Sequence, residues 1–190
     1  MQEEKTLEKQ TKEAFQKVVE EAVEQAARTE AEDTFTDSQR QVAAKARDYF
    51  IAGFHCSESV IKAFNESYPL HFTPQILRMA SGLGGGLGKA KCCCGTVSTG
   101  AIIISSIYGR TDMHGDDSLA FDLAKELHDR FKEKFTTVCC YQLTEIAQWG
   151  HPSHVRTCSE YVYGASLILA DILDRCIEFL GLPHSDEAEA

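Results

Sequence analysis

The sequence predicts an all-α protein, a multi-helix bundle around a buried central helix that follows a glycine-rich turn. Three observations predict it. Apolar residues recur at steps of three and four along most of the 190 residues, and no stretch reads as a strand. Met79 to Arg110 opens on a turn with four glycines in five positions, Gly84, Gly85, Gly86 and Gly88. Such a turn serves positive φ or the close approach of another group. From Cys94 the steps Cys94, Val97, Ala101, Ile104 and Tyr108 form one stripe, while Ile102 and Ile103 make the other faces apolar too. A helix apolar nearly all round is a central one.

The elements follow in order. Residues 5–28 carry Phe15, Val18, Val19, Ala22, Val23 and Ala26 at helical spacing, with Glu and Lys on the other faces. This amphipathic helix and the acidic hinge TEAEDTFTD form an N-terminal element over 1–34, outside a helical cysteine-rich domain over 35–183. A helix over Ser38 to Ala52 turns Val42, Ala46, Tyr49 and Phe50 inward and ends at Gly53. The next begins near Cys56, with Val60, Ala63 and Phe64 on the same face. Thr73 and Pro74 form an N-cap and first-turn pair. After the central helix and a polar loop, Leu119, Leu123, Ala124, Leu127 and Phe131 mark an amphipathic helix whose start Asp112, Asp116 and Asp117 are placed to cap. Cys140, Leu143 and Ala147 share a face on a shorter helix. His151-Pro152-Ser153 breaks the chain before a long helix with Cys158, Val162, Ala165, Leu169, Ile172 and Cys176 on one stripe. The acidic tail over 184–190 frays.

The net charge of −10 repels phosphate backbones, which argues against nucleic-acid binding. No apolar run approaches the roughly 18 residues of a membrane span. The polar start MQEEKTLEKQTKEAF does not read as a secretory signal, so the expected location is cytoplasmic. In that setting eight cysteines point to metal or redox chemistry rather than to a disulfide framework. No C-x-x-C occurs, so zinc ribbons and thioredoxin-type pairs are not matched, and no C-x-x-C-H offers a covalent haem site. Cysteines that act together must converge from distant segments.

Cys56, Cys94, Cys140 and Cys158 each fall near an expected helix N-terminus on an inward stripe. There the helix dipole and free N–H groups favour a thiolate. Four such thiols meeting in one pocket suit an iron–sulfur cluster or zinc. Cys176 cannot join them, because it lies about 27 Å along the same helix from Cys158 at 1.5 Å per residue. Cys92, Cys93 and Cys139 are loop residues, additional ligands or thiols for exchange. His55 could assist Cys56 or replace a ligand, and His151 and His154 have metal-like spacing to Cys158, although a polar loop is the simpler reading of that pair.

These residues resemble the C-GCAxxG-C-C family of redox-active proteins, which includes the iron–sulfur domain of split-Soret cytochrome c. The resemblance runs over roughly residues 40 to 180. It rests on a cysteine in a short helix, GGGLG, Cys-Gly-Thr-Val-Ser-Thr-Gly-Ala, Cys-Tyr-Gln-Leu-Thr and a late cysteine at the last helix. The family cysteines correspond to Cys56, Cys94, Cys140 and Cys158. The resemblance implies a helical redox domain, an iron–sulfur cluster as in the split-Soret relatives, and a homodimer. The missing haem motif argues against haem, and KAKCCCGTVSTG departs from literal GCAxxG spacing, so the ligand among Cys92, Cys93 and Cys94 stays open. The expected function is electron transfer with a redox partner protein. The alternatives are a metal-free dithiol/disulfide oxidoreductase and a zinc-stabilised interaction module.

Overall fold

A computed structural model describes residues 35–145 and 151–180, with the backbone alone at Phe179 and Leu180. The chain divides into Met1–Phe35 and Thr36–Ala190, and the described residues fall almost wholly in the second unit. The helix expected over 5–28 and the tail from His184 lie outside the described residues, as does Ala147.

Seven α-helices follow one another among the described residues. They are α1 (Asp37–Ile51), α2 (Cys56–Ser67), α3 (Pro74–Met79), α4 (Gly95–Tyr108), α5 (Ser118–Phe135), α6 (Cys140–Leu143) and α7 (Pro152–Leu180). A 3₁₀ turn over Ala80–Leu83 precedes the glycine turn. Among these residues no strand forms. The one extended pairing is an isolated antiparallel bridge between Cys93 and Cys139.

The helix starts carry their signals in the sequence. At α1 the Thr36 hydroxyl accepts the Gln39 N–H at 3.2 Å, while the Thr36 N–H donates to Gln39 Oε1 at 2.9 Å. This reciprocal box satisfies two N–H groups that the first turn would leave open. At α2 the His55 N–H donates to Glu58 Oε2 at 2.8 Å, and Ser81 Oγ donates to the other carboxylate oxygen at 2.5 Å. Glu58 therefore caps α2 and ties it to the 3₁₀ turn. At α5 the capping differs from expectation. Asp116, not Asp117, accepts the Ser118 N–H, at 3.0 Å; Asp117 pairs with Arg110 and Asp112 accepts the His114 N–H.

Helix α7 packs against α1, α2, α4 and α5, and α4 packs against α2, α5 and α7. The buried stripe of α7 includes Val162, Ala165, Leu169, Ile172 and Cys176, as its periodicity predicts. On α4, Val97, Ile103 and Ile104 are buried, whereas Ile107 is exposed where the helix reaches the surface. Gly100 sits where an added Cβ would collide with Leu127 Cδ2, which brings α4 and α5 into close contact. Each fully buried Leu, Ile or Phe contributes about 1.5–3 kcal/mol, against about 0.5–1.5 for a net hydrogen bond. The apolar interior therefore supplies most of the stability, and polar ties fix its register. Two such ties reach α7. Asp174 accepts from Gln39 Nε2 at 2.9 Å and from Tyr68 Oη at 2.8 Å. Buried Glu126 on α5 meets Arg130 at 3.0 Å and Arg175, and Asp171 meets Arg130 at 2.6 Å.

Candidate functional site: a four-cysteine cavity

Between the glycine turn and α4 the chain takes a left-handed course. Gly85, Gly86, Leu87, Gly88, Lys89 and Lys91 all have φ between 58° and 68°. Glycine adopts this region freely, whereas Leu and Lys do so at a cost of about 1–2 kcal/mol each. The coil delivers residues 91–94 beside the start of α6. There Cys94 N–H donates to Val138 O at 2.8 Å, Cys140 N–H to Cys92 O at 2.6 Å and Tyr141 N–H to Lys91 O at 3.0 Å. Two glycines leave room for this join. A Cβ on Gly86 would stand 2.7 Å from Cys140 Cβ and 2.8 Å from the Cys92 nitrogen. A Cβ on Gly95 would stand 2.8 Å from Cys56 Sγ and 2.9 Å from the Leu83 carbonyl.

The result is one cavity of about 460 Å³, its open mouth included, lined by Cys56, Cys94, Cys140 and Cys158 together. Cys56 is the first residue of α2, Cys94 the N-cap of α4 and Cys140 the first residue of α6. Cys158 departs from expectation. It does not open the last helix, because α7 already starts at Pro152, so Cys158 lies well inside the helix. Only three of the four thiols therefore stand at helix mouths. Of the additional candidates, His55 lines the cavity; Cys92, Cys93 and Cys139 do not. Buried His154 lines it too, whereas His151 is exposed and bonds Ser153 Oγ at 2.9 Å. Cys176 is buried away from the cavity.

Phe50, Thr96, Leu143 and Tyr161 complete much of the wall and were not singled out from the sequence as site residues. A signal existed for two of them. Thr96 follows Cys94 by two residues, and its Oγ1 lies 3.1 Å from Cys94 Sγ. Tyr161 lies one helical turn after Cys158, and its hydroxyl donates to the Leu143 carbonyl at 3.1 Å.

The expectation of thiolates at helix mouths is not met by the protein alone. Burial pushes the Cys140 thiol up to about 11 and the Cys158 thiol up to about 12, and repulsion between neighbouring thiolates adds to both. Burial likewise raises Cys56 and Cys94. At Cys56 the backbone N–H groups of Gly85, Ser57 and Gly95 act in the opposite direction without prevailing. A helix terminus contributes about 0.3–1 kcal/mol, whereas burial moves a pKa by up to 3–5 units, so desolvation wins. The four thiols hold their protons at neutral pH, and a cation entering the cavity would displace them.

The donor chemistry fits a soft metal centre: four sulfurs, one cavity, no competing carboxylate in the wall. Their spacing is a separate matter. Among the described residues no three of His, Cys, Asp and Glu are gathered as a single metal ion requires. Also among them, no helix is long and apolar enough to cross a membrane.

A helical bundle that brings four cysteines from four separate segments to one cavity defines a cysteine-pocket protein. A family model described as "Putative redox-active protein (C_GCAxxG_C_C)" matches residues 54–172, and the chain belongs to that family. The match spans all four cavity cysteines. No curated protein and no solved structure matches the chain.

Proposed function

We propose that Cys56, Cys94, Cys140 and Cys158 hold an iron–sulfur cluster and that the protein passes electrons to or from a redox partner protein. The observation that carries this reading is the convergence of the four thiols on one cavity. A further observation supports it. Four thiols raised by burial are poor nucleophiles as they stand, which disfavours a metal-free exchange mechanism at these positions and suits ligands that ionise on binding a cation.

A bound cluster supplies one-electron redox chemistry, at a potential set by its surroundings. The chain's own residues supply those surroundings. The N–H groups of Gly85, Ser57 and Gly95 face Cys56 sulfur, and hydrogen bonds to ligand sulfur make reduction easier. Phe50, Leu143 and Tyr161 keep the inner wall apolar and limit water. Thr96 Oγ1 is placed to donate to a Cys94 thiolate.

The test is anaerobic purification with iron and acid-labile sulfide measured per chain and a visible spectrum recorded. Iron and sulfide together, lost in Cys94→Ser and Cys158→Ser but kept in Cys176→Ser, is the expected result. Zinc without iron, or iron indifferent to the cavity cysteines, overturns the proposal.

A further inference from the structure

Two cysteines outside the cavity are joined by the backbone. The Cys94 N–H to Val138 O and Cys140 N–H to Cys92 O bonds flank Cys93 and Cys139, which are bridged as an antiparallel pair. Bonds from the flanking residues rather than from the pair itself define the non-hydrogen-bonded position. There the Cα atoms stand about 4.5 Å apart and both side chains project from the same face. A disulfide accepts Cα separations of about 4.4–6.8 Å. Side chains alternate along an extended segment, so the register that turns Cys94 and Cys140 to the cavity turns Cys93 and Cys139 away from it. Both outer thiols are free, half-buried and open to a small reagent. Cys139 Sγ already lies over this segment, 3.8 Å from the Lys91 carbonyl oxygen.

We infer that Cys93 and Cys139 form a second redox centre, a two-electron dithiol/disulfide couple that exchanges with small-molecule or protein disulfides. The reaction balances with a disulfide such as oxidised glutathione as oxidant. The thiolate of one cysteine attacks a glutathione sulfur, forming a mixed disulfide and releasing one glutathione thiolate. The second cysteine thiolate then attacks the protein sulfur of that mixed disulfide, closes the Cys93–Cys139 bond and releases the second glutathione thiolate. Two electrons and two protons leave the protein pair and end on two molecules of glutathione. Because the bond would tie 91–94 to 138–141, its redox state fixes the separation of Cys94 and Cys140, the inner residues of the same two segments. The couple does not depend on what the cavity holds.

The full chain, purified anaerobically and reduced, is incubated with excess oxidised glutathione; free thiols are then blocked and the protein is digested with trypsin. Cleavage after Lys91, Arg110, Lys134 and Arg156 puts Cys93 in peptide 92–110 and Cys139 in peptide 135–156. The expected product is these two peptides linked, lighter than their sum by two hydrogens, with fragment ions placing the bond at Cys93 and Cys139. Excess reduced glutathione should reverse it. The link should persist in Cys92→Ser and vanish in Cys93→Ser and in Cys139→Ser. Fragment ions from the unaltered chain decide the matter should either serine variant fold poorly. A bond at Cys94 or Cys140, a Cys92–Cys93 bond within one peptide, or no link at all overturns the inference. Iron and sulfide are measured on the reduced chain before oxidised glutathione is added, so the two proposals fail separately.

Discussion

Gly95→Ala moves one cavity sulfur without removing it. The added methyl would meet Cys56 Sγ at 2.8 Å, the Leu83 carbonyl oxygen at 2.9 Å and Ser57 Cβ at 3.4 Å. Leu83 O belongs to the backbone, so the thiol is the group that must yield. Restoring ordinary contact requires a shift of about 0.6 Å, the difference between 2.8 and 3.4 Å. Metal–sulfur distances are fixed within about 0.2 Å, so such a shift spoils ligation. The stability change is smaller. Crowding costs about 1–3 kcal/mol, and replacing Gly by Ala in a helix returns up to about 1 kcal/mol, leaving a net loss of about 0–3 kcal/mol. Urea unfolding of the metal-free chain should show a slightly lower midpoint with an unchanged slope. Iron and sulfide per chain after anaerobic reconstitution should fall several-fold. Gly82→Ala is the control, since nothing lies within 4 Å of its added methyl and both measurements should stay at the wild-type value. A Gly95→Ala protein that folds and takes up a full complement of iron would refute the placement of Cys56 as a ligand.

Three further outcomes concern the bundle. Asp174→Ala leaves the buried Gln39 amide without this acceptor and the Tyr68 hydroxyl with only the longer bond to the Ala170 carbonyl at 3.5 Å, and urea unfolding should show a loss of about 1–3 kcal/mol. A loss below about 0.5 kcal/mol would show that water replaces the carboxylate. Glu126→Ala strips Arg130 and Arg175 of a buried carboxylate while Asp171 still serves both arginines. The expected loss is about 2–3 kcal/mol, under the full penalty of an isolated buried charge, and Glu126→Gln should recover part of it. Burial pushes the Glu66 carboxyl up, but hydrogen bonds from Lys62 and Tyr49 outweigh it and hold the group below its usual value of 4.5. A lowered folded value means that this stabilisation is complete above about pH 4.5 and fades as pH falls through the folded value. The melting temperature should therefore decline less steeply on acidification in Glu66→Gln than in the unaltered chain; equal slopes would remove Glu66 from the account.

What the sequence carries and what it conceals divide along the range of the interaction. Helical periodicity is local, and it marks the stripes of α1, α2, α4, α5 and α7, while the Thr73–Pro74 pair marks the start of α3. It also named the four cysteines that share the cavity, since each lies on an inward stripe. Cys158 lies inside α7 rather than at its mouth, because Pro152 begins the helix instead of breaking the chain ahead of it. The protonation of the thiols depends on contacts of longer range. The dipole at a helix start can be seen in the sequence, but burial depends on what packs over the thiol from elsewhere. The Cys93–Cys139 bridge was invisible for the same cause, since its two sides lie 46 residues apart and each spans only a few residues. Nothing in either segment announces its partner.

The reach of α7 has a consequence for how the molecule opens. One helix forms a face of the core for α1, α2, α4 and α5 alike, so none of these four can detach without stripping an apolar stripe that the others share. Their amide protons should therefore exchange together, in one cooperative step at the free energy of global unfolding. Short α3 stands apart, because none of its six residues is buried. Its amides should exchange first, through a local opening that leaves the cavity's four walls standing.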